Sequence, residues 1–431
     1  VTVADPLLGP RGAPRPIPAV GTPEFQRHAD EFTIRWPGHG VELHLIGVRE
    51  RSDGPRAELA VLHEEQEIHW GLLSLASTSA RETVVKKLLA IQPELPWRPM
   101  LERACRLTVI AQRRGEPLVT LTGRVETPTR ELVPGLLYEG EPTMVYADGD
   151  TGKSLFALTL AAAVHSGAKL PFGLKPTRPA PAAYLDWETG QETIEVRLGM
   201  VAAGLGIDTP AILYKPMTRP LVDEAVTLAA EFARRGIRFV IIDSKMFAVA
   251  GGDGAAFHEP ITQFYGALRL FAPAAALVLN HVTNADAKGG GPARPFGGAF
   301  AFNGPRLIWE AKRDQDVTDA TAIAFTCRKA NNLPRRPDPF GLRFVPGPAT
   351  ITVYPFDLAE ASPRVVAGAS LSWRIRLVLA NGARTAVEIA EELDASADVV
   401  SATLRRLAKD GKAVRVSAGA GAAAQVWGLP G

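Results

Sequence analysis

Hydrophobic and polar residues alternate with a period of two from Glu31 to about Leu75. Phe32–Trp36 and Val41–Val48 read as strands joined at Pro37–Gly40, and Ala57–Leu62 and Glu67–Leu72 as two more. The period then lengthens, and apolar residues three and four apart predict helices over Ser79–Ile91 and Met100–Arg113. Residues 25–124 are thus expected to form a small α+β domain, in which no chemistry is legible. Residues 1–24, rich in Pro, Gly and small side chains, read as a flexible tail.

A different pattern follows over 125–355. Short, wholly apolar runs alternate with helical stretches, with strands expected at Thr143–Tyr146, Ala182–Asp186, Phe239–Asp243, Ala276–Asn280, Ala322–Arg328 and Leu342–Val345. That alternation predicts an α/β domain with a mainly parallel sheet. Ligands in such sheets bind at the carboxyl ends of the strands, so the loops after Tyr146, Asp186, Asp243 and Asn280 should converge. Over 370–431 the pattern gives a helix at Trp373–Ala380, a second at Thr385–Leu393 and a third from the cap Ser396 to Asp410. Two strands end it, at Ala413–Val416 and Ala424–Gly428. Helix, helix, helix, hairpin is the order of a winged helix-turn-helix domain.

Composition narrows this picture only slightly. The chain has 431 residues, enough for two or three domains, and a net charge of +2 with 22% charged residues. Overall charge therefore announces no nucleic-acid partner, and any such site must be a local patch or a channel. Cys105 and Cys327 are the only cysteines and fit no metal spacing. With no signal-peptide pattern and no apolar run of membrane-spanning length, a cytoplasmic protein without a membrane partner is expected.

Chemistry concentrates in Ala147-Asp148-Gly149-Asp150-Thr151-Gly152-Lys153-Ser154, followed by Leu155. A strand precedes this run and a buried helix follows it, the setting of a nucleoside-triphosphate phosphate loop. Backbone N–H groups of such a turn face the phosphates. Lys153 is expected to reach the β- and γ-phosphates of ATP, and Ser154 to ligate Mg²⁺. The first position is Ala147 rather than glycine, which a modest backbone adjustment would accommodate.

Asp243 closes an apolar strand and is expected beside Ser154 on the metal. Hydrolysis also needs a carboxylate to activate water. Glu188, expected on the strand neighbouring the phosphate loop, is the candidate, with Asp186 as its rival. Asn280 or His281, at the next strand end, is expected to sense the γ-phosphate. The basic, glycine-rich stretch Asn284–Gly298, with Lys288 and Arg294, reads either as a loop tracking a phosphodiester backbone or as a plain surface loop. Arg328 and Lys329 offer a cation for the γ-phosphate of a neighbouring subunit.

Together these residues resemble the RepA-like hexameric helicase ATPases of the RecA/DnaB superfamily, over about 130–350. The resemblance rests on Ala147–Ser154, Tyr184-Leu185-Asp186-Trp187-Glu188, Ile241-Ile242-Asp243-Ser244 and Asn280-His281-Val282-Thr283. It extends to Pro295–Gly298 with Arg306–Trp309, and to Arg328–Asn332. It implies a RecA-like core that assembles into a homo-oligomeric, hexameric ring, binds ATP between subunits and moves single-stranded nucleic acid through a channel. By the same token Glu188 inherits water activation, His281 the sensor role, and Lys329 or Arg328 the trans-acting cation. The expectation is a ring-forming, DNA-binding ATPase motor resembling the replicative helicases of mobile elements or phages, with a winged helix whose third helix, carrying Ser401, Thr403, Arg405, Arg406 and Lys409, reads either as a duplex contact or as a protein-docking unit. The alternatives are a non-translocating, ATP-gated initiator or regulator and a nucleic-acid-sensing defence ATPase.

Overall fold

The computed structural model describes residues 20–28, 31–50, 54–114, 120, 130–249, 258–282, 294–417 and 425–430. They divide into two compact units, Val1–Arg124 and Val125–Gly431.

The first unit is an antiparallel sheet of β1 (Glu24–His28), β2 (Glu31–Trp36), β3 (Val41–Arg49), β4 (Arg56–His63) and β5 (Gln66–Ser74), in that order. Two helices follow, α1 (Thr78–Ile91) and α2 (Trp97–Arg114). Leu43 pairs with Ile34 on one side and Val61 on the other, so alternate residues stack on one face. Phe32, Ile34, Leu45, Leu59 and Val61 form the core there with Val85, Leu88, Met100 and Leu101 of the helices. A one-residue slip would turn all of these to solvent, which pins the register. The segment read as a tail lies outside the described residues up to 19. Its last residue, Glu24, begins β1, which is held by pairing with β2.

The second unit opens with a small ribbon, β6 (Glu131–Val133) and β7 (Leu137–Tyr138), and then builds a nine-stranded sheet. Its elements are β8 (Pro142–Ala147), α3 (Lys153–Ser166), β9 (Ala182–Asp186), α4 (Gln191–Leu205), β10 (Leu213–Pro216), α5 (Leu221–Arg235) and β11 (Phe239–Asp243). They continue with α6 (Lys245–Ala248), α7 (His258–Arg269), β12 (Ala275–His281), α8 (Gly298–Asn303), β13 (Leu307–Asp314), β14 (Thr321–Ala330), β15 (Phe340–Pro346) and β16 (Ile351–Pro355). The strand order is β10-β9-β11-β12-β8-β13-β14-β15-β16. Pairs from β10 to β13 are parallel, and those from β13 to β16 antiparallel.

The central strands are buried on both faces. Phe239 and Ile241 pack with α3 and α4, Val240 and Ile242 with α5 and α7. That double burial is why β11 reads as an unbroken apolar run. α3 is buried nearly all round, from Phe156 to Val164.

Ala322–Arg328 and Leu342–Val345 are strands as expected, and they form the antiparallel part of the mainly parallel sheet, since no crossover helix separates β13, β14 and β15. Other expectations need correction. The strands β10, β13 and β16 were not expected. β10 is a short edge strand ending in proline, and β13 carries Glu310, Lys312 and Asp314, which disguise it as a polar segment. Glu188 does not follow the strand beside the phosphate loop. β9 is separated from β8 by β11 and β12, and the neighbours of β8 are β12 and β13.

Past the sheet, α9 (Pro363–Val366) leads to α10 (Leu371–Ala380), β17 (Arg384–Thr385), α11 (Ala386–Glu392), α12 (Ala397–Lys409), β18 (Val414–Ser417) and β19 (Val426–Gly428). The strands pair in the order β17-β19-β18. Ile375, Ile389, Val400, Leu404, Leu407 and Trp427 form their core. Thr385 and Glu388 make a reciprocal capping box that starts α11.

Candidate active site

The loop between β8 and α3 owes its shape to two residues with positive φ, Asp150 (+54°) and Gly152 (+92°). At Gly152 a Cβ would lie 2.9 Å from Ile323 Cδ1 and 3.2 Å from Thr321 Cγ2, so both conformation and space demand glycine. Ala147 needs no adjustment. It is the last residue of β8, with its methyl buried in the core. Lys153 begins α3 and is only 8% exposed. Its Nζ donates to the carbonyls of Asp148 (2.7 Å) and Ala147 (3.3 Å). Burial holds the ammonium pKa below its usual value, against the opposing pull of Asp243, Glu188 and Asp148.

Ser154 Oγ donates to Asp243 Oδ2 at 2.8 Å, bringing the helix start onto the end of β11. The buried Tyr184 hydroxyl donates to the same oxygen. Burial raises the Asp243 pKa. Bonds from Tyr184 and Ser154 oppose the rise, and the carboxylates of Glu188 and Asp186 add to it. A buried carboxylate next to a hydroxyl, with like charges nearby, is an oxygen donor pair suited to a hard divalent cation. No cluster of three or more potential metal-ligating side chains occurs among the described residues. The two oxygen donors fit an ion such as Mg²⁺, which keeps waters and shares its remaining sites with phosphate.

Glu188 reaches this group although its strand is remote from β8. Its Oε1 accepts a hydrogen bond from Ser244 Oγ and lies 3.2 Å from His281 Nε2. The hydrogen bond from His281, foremost, and that from Ser244 hold its pKa below the usual carboxylate range, although burial works the other way. Asp186 is otherwise engaged. Oδ1 accepts the backbone N–H groups of Glu188 (2.9 Å) and Thr189 (3.0 Å). Oδ2 accepts that of Gly190 (2.8 Å) and the Tyr214 hydroxyl (2.9 Å). Asp186 thus shapes the turn that presents Glu188, and its oxygens are occupied.

Lys153, Ser154, Asp243, Glu188 and His281 line a cavity of ≈ 420 Å³ with Thr151, Gly152, Arg197 and Thr321. Arg197, on α4, is a cation that the sequence did not reveal, since on a helix nothing but its facing marks it. Tyr184 and Ser244 were equally hidden, as hydroxyls within runs valued for their carboxylates. Asn280 is fully buried at the end of β12, where its Nδ2 donates to the Phe296 carbonyl (3.1 Å). Lys245, 1% exposed, donates to that carbonyl too, at 3.1 Å. Burial lowers its pKa to about 8.

Arg328 and Lys329 do not join the cavity. β14 runs antiparallel to β13, which places Thr321 at the phosphate-loop end and Lys329, opposite Ile308, at the other. Lys329 Nζ donates to the carbonyls of Phe302 (3.0 Å), Asn303 (2.9 Å) and Pro305 (2.8 Å). Arg328 Nη1 donates to the Gly368 carbonyl (2.6 Å), and its Nε lies 3.6 Å from Glu310. Of the glycine-rich stretch Asn284–Gly298, residues up to 293, with Lys288, lie outside the described residues.

Residues 116–287 match the AAA domain family. The matched span contains the phosphate loop, Glu188, Asp243 and His281, and one inserted strand, β12, separates the phosphate-loop strand from the Asp243 strand. The fold is that of a RecA-like P-loop domain, with the phosphate loop between β8 and α3 at the carboxyl end of β8 in a mainly parallel sheet. A solved KaiC-like protein from the hyperthermophilic archaeon Pyrococcus horikoshii OT3 is similar to the chain at 14% identity. The similarity covers 53% of this chain and 98% of that one, with a TM-score of 0.36. No curated protein matches the chain. No helix among the described residues of the ATPase domain or elsewhere is long and apolar enough to cross a membrane.

Proposed function

We propose that the chain hydrolyses ATP as a ring-forming, DNA-binding motor of the helicase type. The observation that carries the hydrolytic part is Glu188, held by Ser244 and His281 in the cavity that Lys153, Ser154 and Asp243 line. Lys153 and the loop N–H groups hold the β- and γ-phosphates of the substrate. Ser154 and Asp243 are the residues that would hold Mg²⁺, which when bound neutralises charge on the phosphate oxygens. Glu188 is anchored through Oε1, leaving Oε2 to orient a water and take its proton. The water oxygen bonds to the γ-phosphorus as the bond to the β,γ-bridging oxygen breaks, and ADP leaves with the electron pair. His281, touching Glu188, reports the presence of the γ-phosphate, and Arg197 adds a positive charge from the same chain.

Ring formation and DNA binding rest on the resemblance of these motifs to the RepA-like helicases. A cation from an adjacent subunit would complete the site. Arg328 or Lys329 could serve only by exchanging their present partners. The three-helix unit at 370–431 acts in this scheme as a winged helix. Arg405 and Lys409 lie on the exposed side of α12, and Arg405 has no partner among the described residues. Arg406 instead donates to Ser372 Oγ at 2.7 Å.

One observation favours a second reading, an ATP-gated DNA binder that does not translocate. The segment leading into the C-terminal unit is held to the sheet, since Ser362 bonds Asp314 (2.7 and 2.9 Å) and Gly368 bonds Arg328, and Arg376 of the unit itself pairs with Asp338 (2.9 Å). Electron micrographs with a slowly hydrolysed ATP analogue and single-stranded DNA test the first reading. Rings are expected, and monomers under those conditions reject it. Strand displacement by those rings separates a motor from a gated binder.

A further inference from the structure

We propose that Lys245 is a positioning residue for hydrolysis: with Asn280 it pins the Phe296 carbonyl and so holds Ser244 and His281 against Glu188. Lys245 follows Ser244 in the chain, and Asn280 precedes His281. Ser244 and His281 meet at one atom, Glu188 Oε1. Lys245 Nζ and Asn280 Nδ2 meet at another, the Phe296 oxygen, each at 3.1 Å. The Phe296 N–H closes the circuit by donating to the His281 carbonyl at 2.8 Å. The ends of β11 and β12 are thus tied together twice, once through the Glu188 carboxylate and once through the Phe296 carbonyl.

The two donors are costly to the fold. Lys245 is 1% exposed, and its only hydrogen-bond partner among the described residues is a neutral carbonyl. Asn280 is fully buried, and its Oδ1 has no partner among them. Isolated buried charge and unsatisfied buried amide both cost stability, and apolar residues of similar size commonly do as well or better. Structural need alone therefore does not account for either residue. Gly297 supports the arrangement: a Cβ there would come within 3.0 Å of Lys245 Nζ and 2.9 Å of Ile261 Cδ1. Glycine at 297 leaves room for the ammonium beside the Phe296 carbonyl.

The proposal rests on the reading of Glu188 given above. Its test is Lys245→Met in the full chain, measured for nucleotide affinity, single-turnover hydrolysis and thermal stability. We expect unchanged affinity, an unchanged or higher melting temperature, and hydrolysis slowed about tenfold to a hundredfold, as for a small misplacement of a catalytic group. Lys245→Gln, which keeps an N–H donor, should recover part of the rate. A folded Lys245→Met with the parental rate overturns the proposal, as does Lys245→Gln that is no faster than Lys245→Met. Should Lys245→Met fail to fold, Asn280→Leu removes the other donor and predicts the same split between rate and affinity. A parental rate there, or loss of the fold in both variants, overturns it. Glu188→Gln with the parental rate rejects the reading beneath the proposal, whereas an inactive Glu188→Gln beside a parental Lys245→Met rejects the proposal alone.

Discussion

The N-terminal unit and the ATPase domain bury their polar groups very differently. Among the described residues of the first, the buried polar side chains are Thr33 and Thr108, and no charged side chain is buried. The second buries Lys153, Asp186, Asp243, Lys245, Glu310 and Asp314, with Asn280 and Ser244. Four of these charges, Lys153, Asp186, Asp243 and Lys245, lie at or next to the carboxyl ends of the parallel strands. Ion pairs in the N-terminal unit, such as Arg35 with Glu42 at 2.7 Å, remain partly exposed. The first unit is thus arranged for stability. The carboxyl end of the parallel sheet holds groups that burial penalises, and such concentrations mark sites of chemistry.

Removing a charge from each region should therefore have opposite consequences. Lys153→Ala takes away a desolvated ammonium. ATP turnover should fall by at least about a hundredfold, the scale of losing one preorganised group at a reacting oxyanion. The melting temperature should hold or rise. A turnover assay and a thermal melt check both, and a large loss of stability would break the comparison.

In the N-terminal unit the large effect should come from apolar truncation. Leu59 is fully buried between β3 and β5, and Leu59→Ala should destabilise that unit by about 2–5 kcal/mol. Denaturant unfolding followed by tryptophan fluorescence would measure it. A smaller effect is expected at the C-terminal unit. Arg405→Ala should lower DNA affinity and flatten its salt dependence by about one counterion, whereas Arg406→Ala, whose guanidinium is engaged by Ser372, should leave the slope unchanged. Equal slopes in both variants would count against DNA contact along that helix face.

The smallest effect concerns Glu42. The hydrogen bond from Arg35, then the charge and bond of His44, keep its carboxyl below the usual range despite partial burial. A depressed carboxylate contributes stability above its unfolded pKa and loses it as the pH falls through the folded one. Because the pair is partly exposed, the loss should stay below about 1 kcal/mol. Glu42→Gln should remove that acid-side slope in unfolding measured across pH, and an unaltered slope would show that the pair contributes nothing.

Legibility in the sequence followed the same division. Period-two patterning located β2 to β5 almost to the residue, because one face of that sheet is buried and polar residues mark the other. Doubly buried strands such as β9 and β11 were equally plain as unbroken apolar runs. β13 was hidden because Glu310 is buried there beside Arg328, so its pattern imitates a loop. Strand order was not legible at all. Glu188 was expected next to the phosphate loop, yet β11 and β12 intervene, and only the reach of the side chain to Ser244 and His281 closes the distance. Arg197, Tyr184 and Lys245 gave no signal, since a lone residue shows its role only once the fold supplies its neighbours.

The central claim is that Glu188, presented by the turn that Asp186 shapes, activates the water that attacks ATP. Glu188→Gln tests it most directly, because the substitution keeps size and hydrogen bonding while removing the carboxylate. Nucleotide binding and single-turnover hydrolysis should be measured on the same folded preparation. The account predicts parental affinity with hydrolysis slowed by at least about a hundredfold, the contribution of a positioned base. Parental hydrolysis in folded Glu188→Gln would contradict it.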